Sequence, residues 1–327
     1  MPQVIEAGEA LRRLEEALHP GASNYLAMYS SRIDAIIRDP HLMSVPLDDH
    51  LVHRGDGVFD TCTIRFGKAY QLEEHLDRFL RSAALAKISP PFERARLREI
   101  ILRTAAAAGR PDAVARYFLS RGVGGFAVDP GECLGSSFYV VITSIHDYPE
   151  RYYREGMRVV TTGVAIKAPY FARTKSTNYL PNVHIEIEAI ERGADSGLML
   201  DERGFVAEGS NKNVAFVNGE DIFETPSFDR ILQGVTITRL LHLAERLKRE
   251  GLLRDIRVRD ISPEEGLRAK EMMFTGSGIR VAPIVEWDGK KIGKGVPGPV
   301  AKALAELLEE DMREGEGQLT PVPYELS

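Results

Sequence analysis

The spacing of apolar residues in the first half of the chain predicts a mixture of helices and short strands. Leu11, Leu14 and Leu18 recur at helical spacing among charged residues, which is typical of an amphipathic helix. Beyond Tyr25 the period shortens to that of strands, and a helical period returns at Leu72. The expected elements are a helix over residues 4–18, a strand over 58–66, a helix from 72 that ends before 90, a helix over 92–108, and strands over 113–120 and 137–145.

A polar connection separates this half from a second alternation of strands and helices. Residues 146–156 are polar and include Pro149, which favours a link between domains. We therefore expect a helical extension over 1–22, a small α+β domain over 23–148, a linker over 149–157 and a larger α/β domain over 158–327. Its expected elements are strands over 157–166, 197–200, 214–217 and 271–275, and helices over 182–192, 236–250 and 300–310.

Length and composition support two domains and disfavour some classes of partner. A chain of 327 residues exceeds a typical single domain, and 43% hydrophobic with 28% charged residues is ordinary globular usage. The net charge of −6 gives no electrostatic reason to expect nucleic acid or an anionic membrane as a partner. An anionic ligand would need a local cluster of donors.

The cysteines and the N-terminal segment bear on metal binding and location. Cys62 and Cys133 belong to no Cys/His array, so we expect neither a disulfide framework nor a metal site. Residues 1–20 carry four glutamates and lack the apolar run of a secretory signal. No window approaches the ~20 apolar residues of a membrane span. We expect a cytoplasmic protein.

Two kinds of motif could carry chemistry. Gly55-Asp-Gly57 follows a strand-like run, but it matches neither the P-loop spacing nor a dinucleotide fingerprint, and tight turns use such glycines routinely. A much more specific set contains Lys-Ser-Thr-Asn-Tyr at 175–179, Glu-Gly-Ser-Asn-Lys-Asn at 208–213 and Leu-Gln-Gly-Val-Thr at 232–236.

With these motifs the chain resembles the class IV pyridoxal-phosphate aminotransferases, which have fold type IV. The class contains branched-chain transaminases, D-amino-acid transaminases and 4-amino-4-deoxychorismate lyases, and this chain is most similar to the plant D-amino-acid-transaminase-like and branched-chain-aminotransferase-like proteins. The resemblance extends from Ala-Met-Tyr-Ser at 27–30 through residues 48–60 to Pro-Val-Pro-Tyr at 321–324. It implies pyridoxal 5'-phosphate as cofactor and a homodimer with active sites at the subunit interface.

The resemblance also assigns roles at the cofactor. Lys175 would form the Schiff base, Glu208 would hold the pyridine nitrogen protonated, and Tyr179 would donate toward the phenolate oxygen. Each has an ordinary alternative, namely a solvated lysine, an exposed turn residue and a core tyrosine. The other residues implied at the cofactor are Arg78, Asn213, Leu232, Val235, Thr236 and Ser277.

The cofactor phosphate would need backbone amides and a few cationic or hydroxyl donors. Val235 and Thr236 open a predicted helix, and a helix N-terminus presents free amides to an anion. Ser277 matches a second phosphate-binding turn of the class, and Arg78 matches its phosphate-binding arginine. Because Arg78 lies off the apolar stripe of its helix, it could instead be a solvated surface residue.

Recognition of the substrate carboxylate departs from one branch of the class. Bacterial D-amino-acid transaminases carry an Arg-x-His pair where this chain has Phe126 and Val128. Carboxylate recognition must then come from elsewhere, and an arginine is a candidate because a guanidinium can bind a carboxylate through two hydrogen bonds, although each candidate has a structural ion pair as its alternative role. Arg54 is our first choice, and Arg116 and Arg121 are alternatives. The other residues expected near the substrate are Thr61, Gly276 and Gly278.

The leading hypothesis is a transaminase that acts through a Lys175 Schiff base. It would exchange an amino group between an amino acid, with the D enantiomer favoured, and a 2-oxo acid such as 2-oxoglutarate or pyruvate. Thr61 coincides with a threonine of the lyase branch, which keeps 4-amino-4-deoxychorismate lyase activity open. Two further hypotheses are a branched-chain L-amino-acid transaminase and a catalytically silent binding protein, and the intact Lys175 and Glu208 argue against the second.

Overall fold

A computed structural model of the protein describes residues 2–326, so our domain assignments of Met1 and Ser327 lie outside the described residues. The chain divides into two compact units. The first contains the chain up to Ile145 together with the segment that begins at Thr320, and the second contains His146–Leu319. The sequence predicts that the last residues belong with the larger domain. They join the first unit instead, because a final strand pairs there.

The first unit is built on a seven-stranded sheet. Its elements are α1 (Ala7–Glu16), β1 (Tyr25–Ser30), β2 (Ala35–Ile37), α2 (His50–His53), β3 (Gly57–Arg65), β4 (Lys68–Tyr70), α3 (Leu72–Leu85), α4 (Arg94–Ala108), β5 (Ala113–Ser120) and β6 (Ser137–Thr143). The last strand of the chain, β16 (Leu319–Pro321), completes the order β16-β4-β3-β5-β6-β1-β2.

The core of the first unit lies between this sheet and the helices α3 and α4. Strand residues alternate between two faces, so Cys62 and Tyr117 point toward the helices and are fully buried with Leu76 and Phe79 of α3. The opposite side, which we call the open face, carries polar and half-buried side chains. It consists of Phe59, Thr61, Arg116, Phe118 and Val141.

The second unit contains a larger sheet and most of the predicted site residues. Its elements are α5 (Arg151–Arg154), β7 (Met157–Thr161), α6 (Pro169–Ala172), α7 (Leu180–Glu191), β8 (Ser196–Leu200), β9 (Val206–Gly209), β10 (Asn213–Val217), β11 (Ile222–Thr225), α8 (Val235–Arg249), β12 (Asp255–Val258), α9 (Pro263–Leu267), β13 (Glu271–Gly276), β14 (Arg280–Trp287), β15 (Lys290–Lys291) and α10 (Pro299–Glu314).

Strand pairing in this unit closes part of the sheet on itself. The order is β12-β11-β10-β13-β14-β7-β8-β9, β15 pairs with β14, and an additional pairing joins β9 to β10. The strands from β10 to β9 therefore form a small barrel, filled by apolar side chains such as Leu198, Val214 and Phe274. The pairing of β9 with β10 and of β10 with β13 brings the ends of these strands close together.

Most long elements lie within a few residues of their predicted positions, with two informative differences. Strand β14 was not predicted, because Pro283 and the glycines before it resemble a loop, yet Pro283 is accommodated opposite Met273. The N-terminal helix is shorter than expected and leaves Leu11 and Leu14 about half exposed. Among the described residues, no helix is long and apolar enough to cross a membrane.

Candidate active site

Lys175 and Tyr179 lie together in a short non-helical segment before α7. The Lys175 Nζ donates a hydrogen bond to the Tyr179 Oη across 3.3 Å, and both side chains are half-buried. Tyr179 occupies the position before the first turn of α7, where Pro181 favours the start of a helix. The structure thus brings the two predicted residues into contact, and the role of Tyr179 at the cofactor stays a prediction.

A second lysine, Lys167, lies beside this pair and was missed by the sequence analysis. Its ammonium lies 4.9 Å from the centroid of the Tyr179 ring, and that of Lys175 lies 5.9 Å from the same centroid. Burial lowers the pKa of Lys167, the like charge of Lys175 lowers it further, and Glu208 opposes the shift. The available signal was a single cation in the apolar run Gly-Val-Ala-Ile-Lys-Ala-Pro at 163–169.

Glu208 lies near the end of β9, at the turn that leads into β10. Its Cα partner across the ladder is Asn213, and the Gly209 amide donates to the Lys212 carbonyl across 2.8 Å. The next neighbour on the other side is β13, where Thr275 pairs with Asn213. The predicted acidic residue is therefore held in a tight turn at the same end of the barrel as the Gly276-Ser-Gly278 segment.

The N-terminus of α8 forms the third part of the site. Its first turn begins at Val235 without a side-chain cap and contains no acidic residue, so its amides can meet an anion. The Thr236 Oγ1 lies 3.5 Å from the Ser277 Oγ. Two hydroxyls from separate predicted motifs therefore converge beside the free amides of a helix, which suits a phosphate group.

Asn213 and Leu232 support this helix terminus from behind. The Asn213 Nδ2 donates to the Leu232 carbonyl across 2.9 Å, and the side chain is buried. A Cβ added at Gly234 would lie only 2.0 Å from the Asn213 Oδ1, so glycine is required for this close approach. These two predicted residues thus hold the loop that precedes α8.

Gly276 and Gly278 flank Ser277 in the turn between β13 and β14. A Cβ at Gly276 would have the Asn211 carbonyl oxygen at 3.7 Å, and one at Gly278 would meet the Tyr148 ring at 3.6 Å. Both contacts are ordinary, so packing within the chain does not demand glycine here. A requirement for backbone access by a ligand remains a prediction for this pair.

Arg78 lies in the first unit and is buried, so a solvated surface position is wrong for it. Its guanidinium donates to both oxygens of Asp60, with Nε to Oδ2 at 2.8 Å and Nη2 to Oδ1 at 2.6 Å, and the His75 Nδ1 lies 2.8 Å from Oδ1. Burial opposes ionisation of Asp60, but Arg78 and His75 outweigh it and lower its pKa. The role of Arg78 at the phosphate stays a prediction.

The three candidate carboxylate-binding arginines differ in what they already contact. Arg54 donates to the carbonyls of His53, Phe126 and Ala127, and Arg121 pairs with Asp56. Both tie loops of the first unit together.

Arg116 is exposed on the open face, where Thr61 is its direct partner in the β3–β5 ladder. The aromatic pair Phe59 and Phe118 stacks beside them with ring centroids 5.8 Å apart. No ion pair or hydrogen bond of the Arg116 guanidinium is found among residues 2–326. The free cation and the lyase-branch threonine therefore stand side by side.

Comparison with known proteins places this architecture in one family. The model of the amino-transferase class IV family matches residues 57–287. The chain is 46% identical over 323 residues to the chloroplastic D-amino-acid transaminase of Arabidopsis thaliana, covering 98% of this chain and 84% of that protein. It is 24% identical to the bifunctional aminodeoxychorismate lyase / D-amino acid transaminase of Mycobacterium tuberculosis, covering 85% of this chain and 96% of that one.

A solved structure gives the same result for the fold. The branched-chain amino acid aminotransferase from T.th. with pyridoxamine 5'-phosphate superimposes with a TM-score of 0.84 at 26% identity, covering 91% of this chain and 99% of that chain. The predicted family, fold type and cofactor are confirmed by these matches. The residues present also fit this cofactor, because Lys175 offers an amine for its aldehyde and the N-terminus of α8 offers amides for its phosphate.

The family model spans more than two thirds of the sequence, and the span it covers includes Lys175, Thr236 and Ser277. This chain therefore belongs to the class IV aminotransferases and is a pyridoxal-phosphate-dependent enzyme.

Proposed function

We propose that the protein transfers the amino group of a D-amino acid to a 2-oxo acid such as 2-oxoglutarate or pyruvate, with Lys175 as the catalytic residue. The observation that carries this is the contact of the Lys175 Nζ with the Tyr179 Oη, beside Lys167 and Glu208. The preference for the D enantiomer is supported by the 46% identity to a relative named as a D-amino-acid transaminase.

Each residue of the proposed site has a defined task. Pyridoxal phosphate, when bound, supplies a ring that accepts electrons from the substrate's α-carbon. Lys175 would take the proton from that carbon of the amino donor and, in the second half-reaction, would deliver a proton to the α-carbon of the 2-oxo acid, and the Tyr179 hydroxyl would orient the Lys175 amine. Glu208 would accept a hydrogen bond from the pyridine nitrogen and so keep that nitrogen protonated, while the amides of α8 with Thr236 and Ser277 would bind the phosphate.

The experiment is a donor screen read as half-reactions of the purified holoenzyme. D- and L-alanine, D- and L-glutamate, and L-leucine are each mixed with the enzyme, and the change in cofactor absorbance is followed in time. We expect fast single-turnover changes with D-amino acids only. Reaction with L-leucine alone would replace the proposal with a branched-chain L-amino-acid transaminase.

The lyase remains a second candidate because of Thr61. Thr61 lies on the open face opposite Arg116, and the Mycobacterium tuberculosis relative is named for both activities. Including aminodeoxychorismate in the screen separates the two reactions, since release of 4-aminobenzoate with pyruvate identifies the lyase. A protein with bound cofactor but no half-reaction with any donor would instead be a silent binding protein.

We propose that Arg116, and not our first choice Arg54, binds the substrate carboxylate. Arg54 already donates to three backbone carbonyls, so recruiting it would break those hydrogen bonds. Arg116 is exposed, and its guanidinium has no such hydrogen bond to any of the described residues. We expect Arg116→Ala to raise the KM for the amino acid by at least ~10-fold, the loss of roughly one charge-assisted hydrogen bond. An unchanged KM would rule Arg116 out.

We also propose a homodimer in the cytoplasm. The half-buried aromatics of the open face support an interface, since contiguous apolar surface is usually covered.

Cys62 and Cys133 are free thiols, which suits a reducing compartment. Light scattering of the holoenzyme tests the first point, and an active monomer would refute it; cell fractionation tests the second.

A further inference from the structure

A buried lysine lies inside the segment 208–213 and has no role in the function proposed above. The Lys212 Nζ lies 2.9 Å from the Glu186 Oε1, 2.9 Å from the Ser196 Oγ and 3.1 Å from the Ser210 Oγ. These three contacts use all three donors of the ammonium. Its aliphatic stem packs against Gly209, and its charge lies 5.3 Å from the centre of the Phe274 ring.

Stability alone is a poor reason for an ion pair at this position. Burial lowers the pKa of Lys212, although Glu186 opposes the shift. Burial also opposes ionisation of Glu186, but Lys212 and the neighbouring hydroxyls outweigh it and lower that pKa. The Lys212 side chain is buried, but that of Glu186 is 36% exposed, so solvent screens part of their attraction and the pair adds little net stability; it is better explained if it fixes an arrangement.

The contacts of Lys212 join three separate elements. Glu186 is in α7, which begins directly after Tyr179, Ser196 opens β8, and Ser210 is two residues beyond Glu208. The Ser210 Oγ also donates to the Glu186 Oε1. The segment 208–213 is therefore joined by hydrogen bonds to α7, the helix that follows the Lys175–Tyr179 segment.

A second contact runs in parallel, one helical turn earlier. The Asn182 Nδ2 donates to the Ser210 carbonyl. Because residues 182 and 186 are four positions apart on α7, both side chains project from the same face of the helix. Residues from two successive helical turns of α7 thus contact the segment 208–213. These contacts restrict both rotation and sliding of α7 against that segment.

We propose that Lys212 is a positioning residue that, through Glu186 and Ser210, holds Glu208 in register with the Lys175–Tyr179 segment. The inference rests on the proposed function insofar as Lys175 and Glu208 act on the same cofactor. A displacement of about 1 Å between groups that act on one substrate can cost on the order of 100-fold in rate. A group that only stabilises the fold would not show this effect.

The test compares two replacements that differ in what they leave behind. Lys212→Met removes the charge and leaves Glu186 unpaired, whereas the double variant Lys212→Met with Glu186→Leu replaces the ion pair by apolar side chains of similar size. Both are studied as holoenzymes. We expect Lys212→Met to lower the melting temperature and the double variant to recover most of it. Both should slow the single-turnover half-reaction at least ~10-fold and change the visible circular dichroism of the bound cofactor.

Arg259→Met is the matched control in the same unit. It removes the partner of the buried Glu224, which accepts two hydrogen bonds from Arg259 at 3.1 and 2.9 Å. This variant should lose stability yet keep the half-reaction rate and the circular dichroism of the parent protein. A stable double variant with parental rate and dichroism would overturn the proposal, because the ion pair would then act on stability alone.

The remaining outcomes also decide the question. If Lys212→Met does not fold, the double variant and Ser210→Ala, which removes one hydroxyl of the cluster, supply the same comparison. If the parent protein shows no half-reaction with any donor, the proposed function fails. The rate of cofactor dissociation and the visible dichroism still report on Lys212, and unchanged values in the double variant would overturn the positioning role independently.

Discussion

Replacing Gly234 with alanine tests whether the loop before α8 is built to bring the helix terminus against Asn213. The backbone of Gly234 has φ −70 and ψ 136, which alanine adopts without strain. Any effect must therefore come from the added methyl group. Its carbon would lie 2.0 Å from the Asn213 Oδ1 and 3.1 Å from the Ile237 Cγ2.

The size of the effect follows from how little Asn213 can move. Its side chain is buried, and its Nδ2 is held by the Leu232 carbonyl at 2.9 Å. Relieving the overlap requires either a shift of the loop, at about 1–3 kcal/mol for an overpacked core, or loss of that hydrogen bond, at about 1 kcal/mol. We expect the free energy of unfolding to fall by about 1–3 kcal/mol.

Cofactor binding should weaken as well, because the same shift moves the amides of Val235 and Thr236. Thermal unfolding is measured with and without cofactor, and cofactor dissociation is followed by absorbance. Gly219→Ala is the control, since an added Cβ there has nothing within 4 Å and the backbone is not left-handed. In the Asn213→Ala background, Gly234→Ala should cost much less. Full additivity of the two substitutions would show that the contact with Asn213 is not the cause.

Four further outcomes are expected. Lys175→Ala should abolish covalent attachment of the cofactor and multiple turnover while the protein stays folded, and borohydride reduction of the parent protein should label Lys175 alone. Tyr179→Phe should retain the attached cofactor but alter its absorbance and lower kcat, because the hydroxyl at 3.3 Å from the amine is lost. Arg54→Ala should lower the melting temperature without raising the amino-acid KM, the reverse of Arg116→Ala. The pKa of Asp60 in the folded protein lies below its usual value of 3.8. Its pairing with Arg78 therefore stabilises the protein above pH 3.8, and this stability is lost as the pH falls through the pKa of the folded state. Asp60→Asn should lower the free energy of unfolding at pH 7 and make it depend less on pH in the acid range, and an unchanged acid profile would contradict this.

Hydrophobic periodicity and turn residues were sufficient to predict the helices and strands that bury only one face. Helix α3 and strand β5 each have one face on the core, so their apolar residues repeat at the expected period, and the predicted bounds nearly match. Strand β14 interrupts its own pattern with Pro283, and the two-residue β15 is too short to show any period. Elements of that kind are defined by their neighbours in the sheet, which local sequence does not contain.

The same limit explains why the contacts of two predicted site residues could not be foreseen. Arg78 lies off the apolar stripe of α3, and a lone arginine in that position is usually solvated. Its burial depends on Asp60, a partner 18 positions away in the chain that no helical pattern can reveal. Arg54 was favoured because it departs from the family at its position, yet two of the three carbonyls to which it donates lie more than 70 residues away in the chain.

The segment 208–213 shows why a short motif can be so informative when single residues are not. Glu208 pairs with Asn213 in the strand ladder. The side chains of Ser210 and Lys212 contact α7, and that of Asn213 contacts the loop before α8. The Ser210 and Lys212 side chains share their contact with α7, whereas Asn213 contacts the loop before α8, so substitutions in this one segment disturb two separate junctions. The six residues of this segment therefore form a pattern that can be recognised as a unit, whereas Lys167 is a single cation in an apolar run and offers no such pattern.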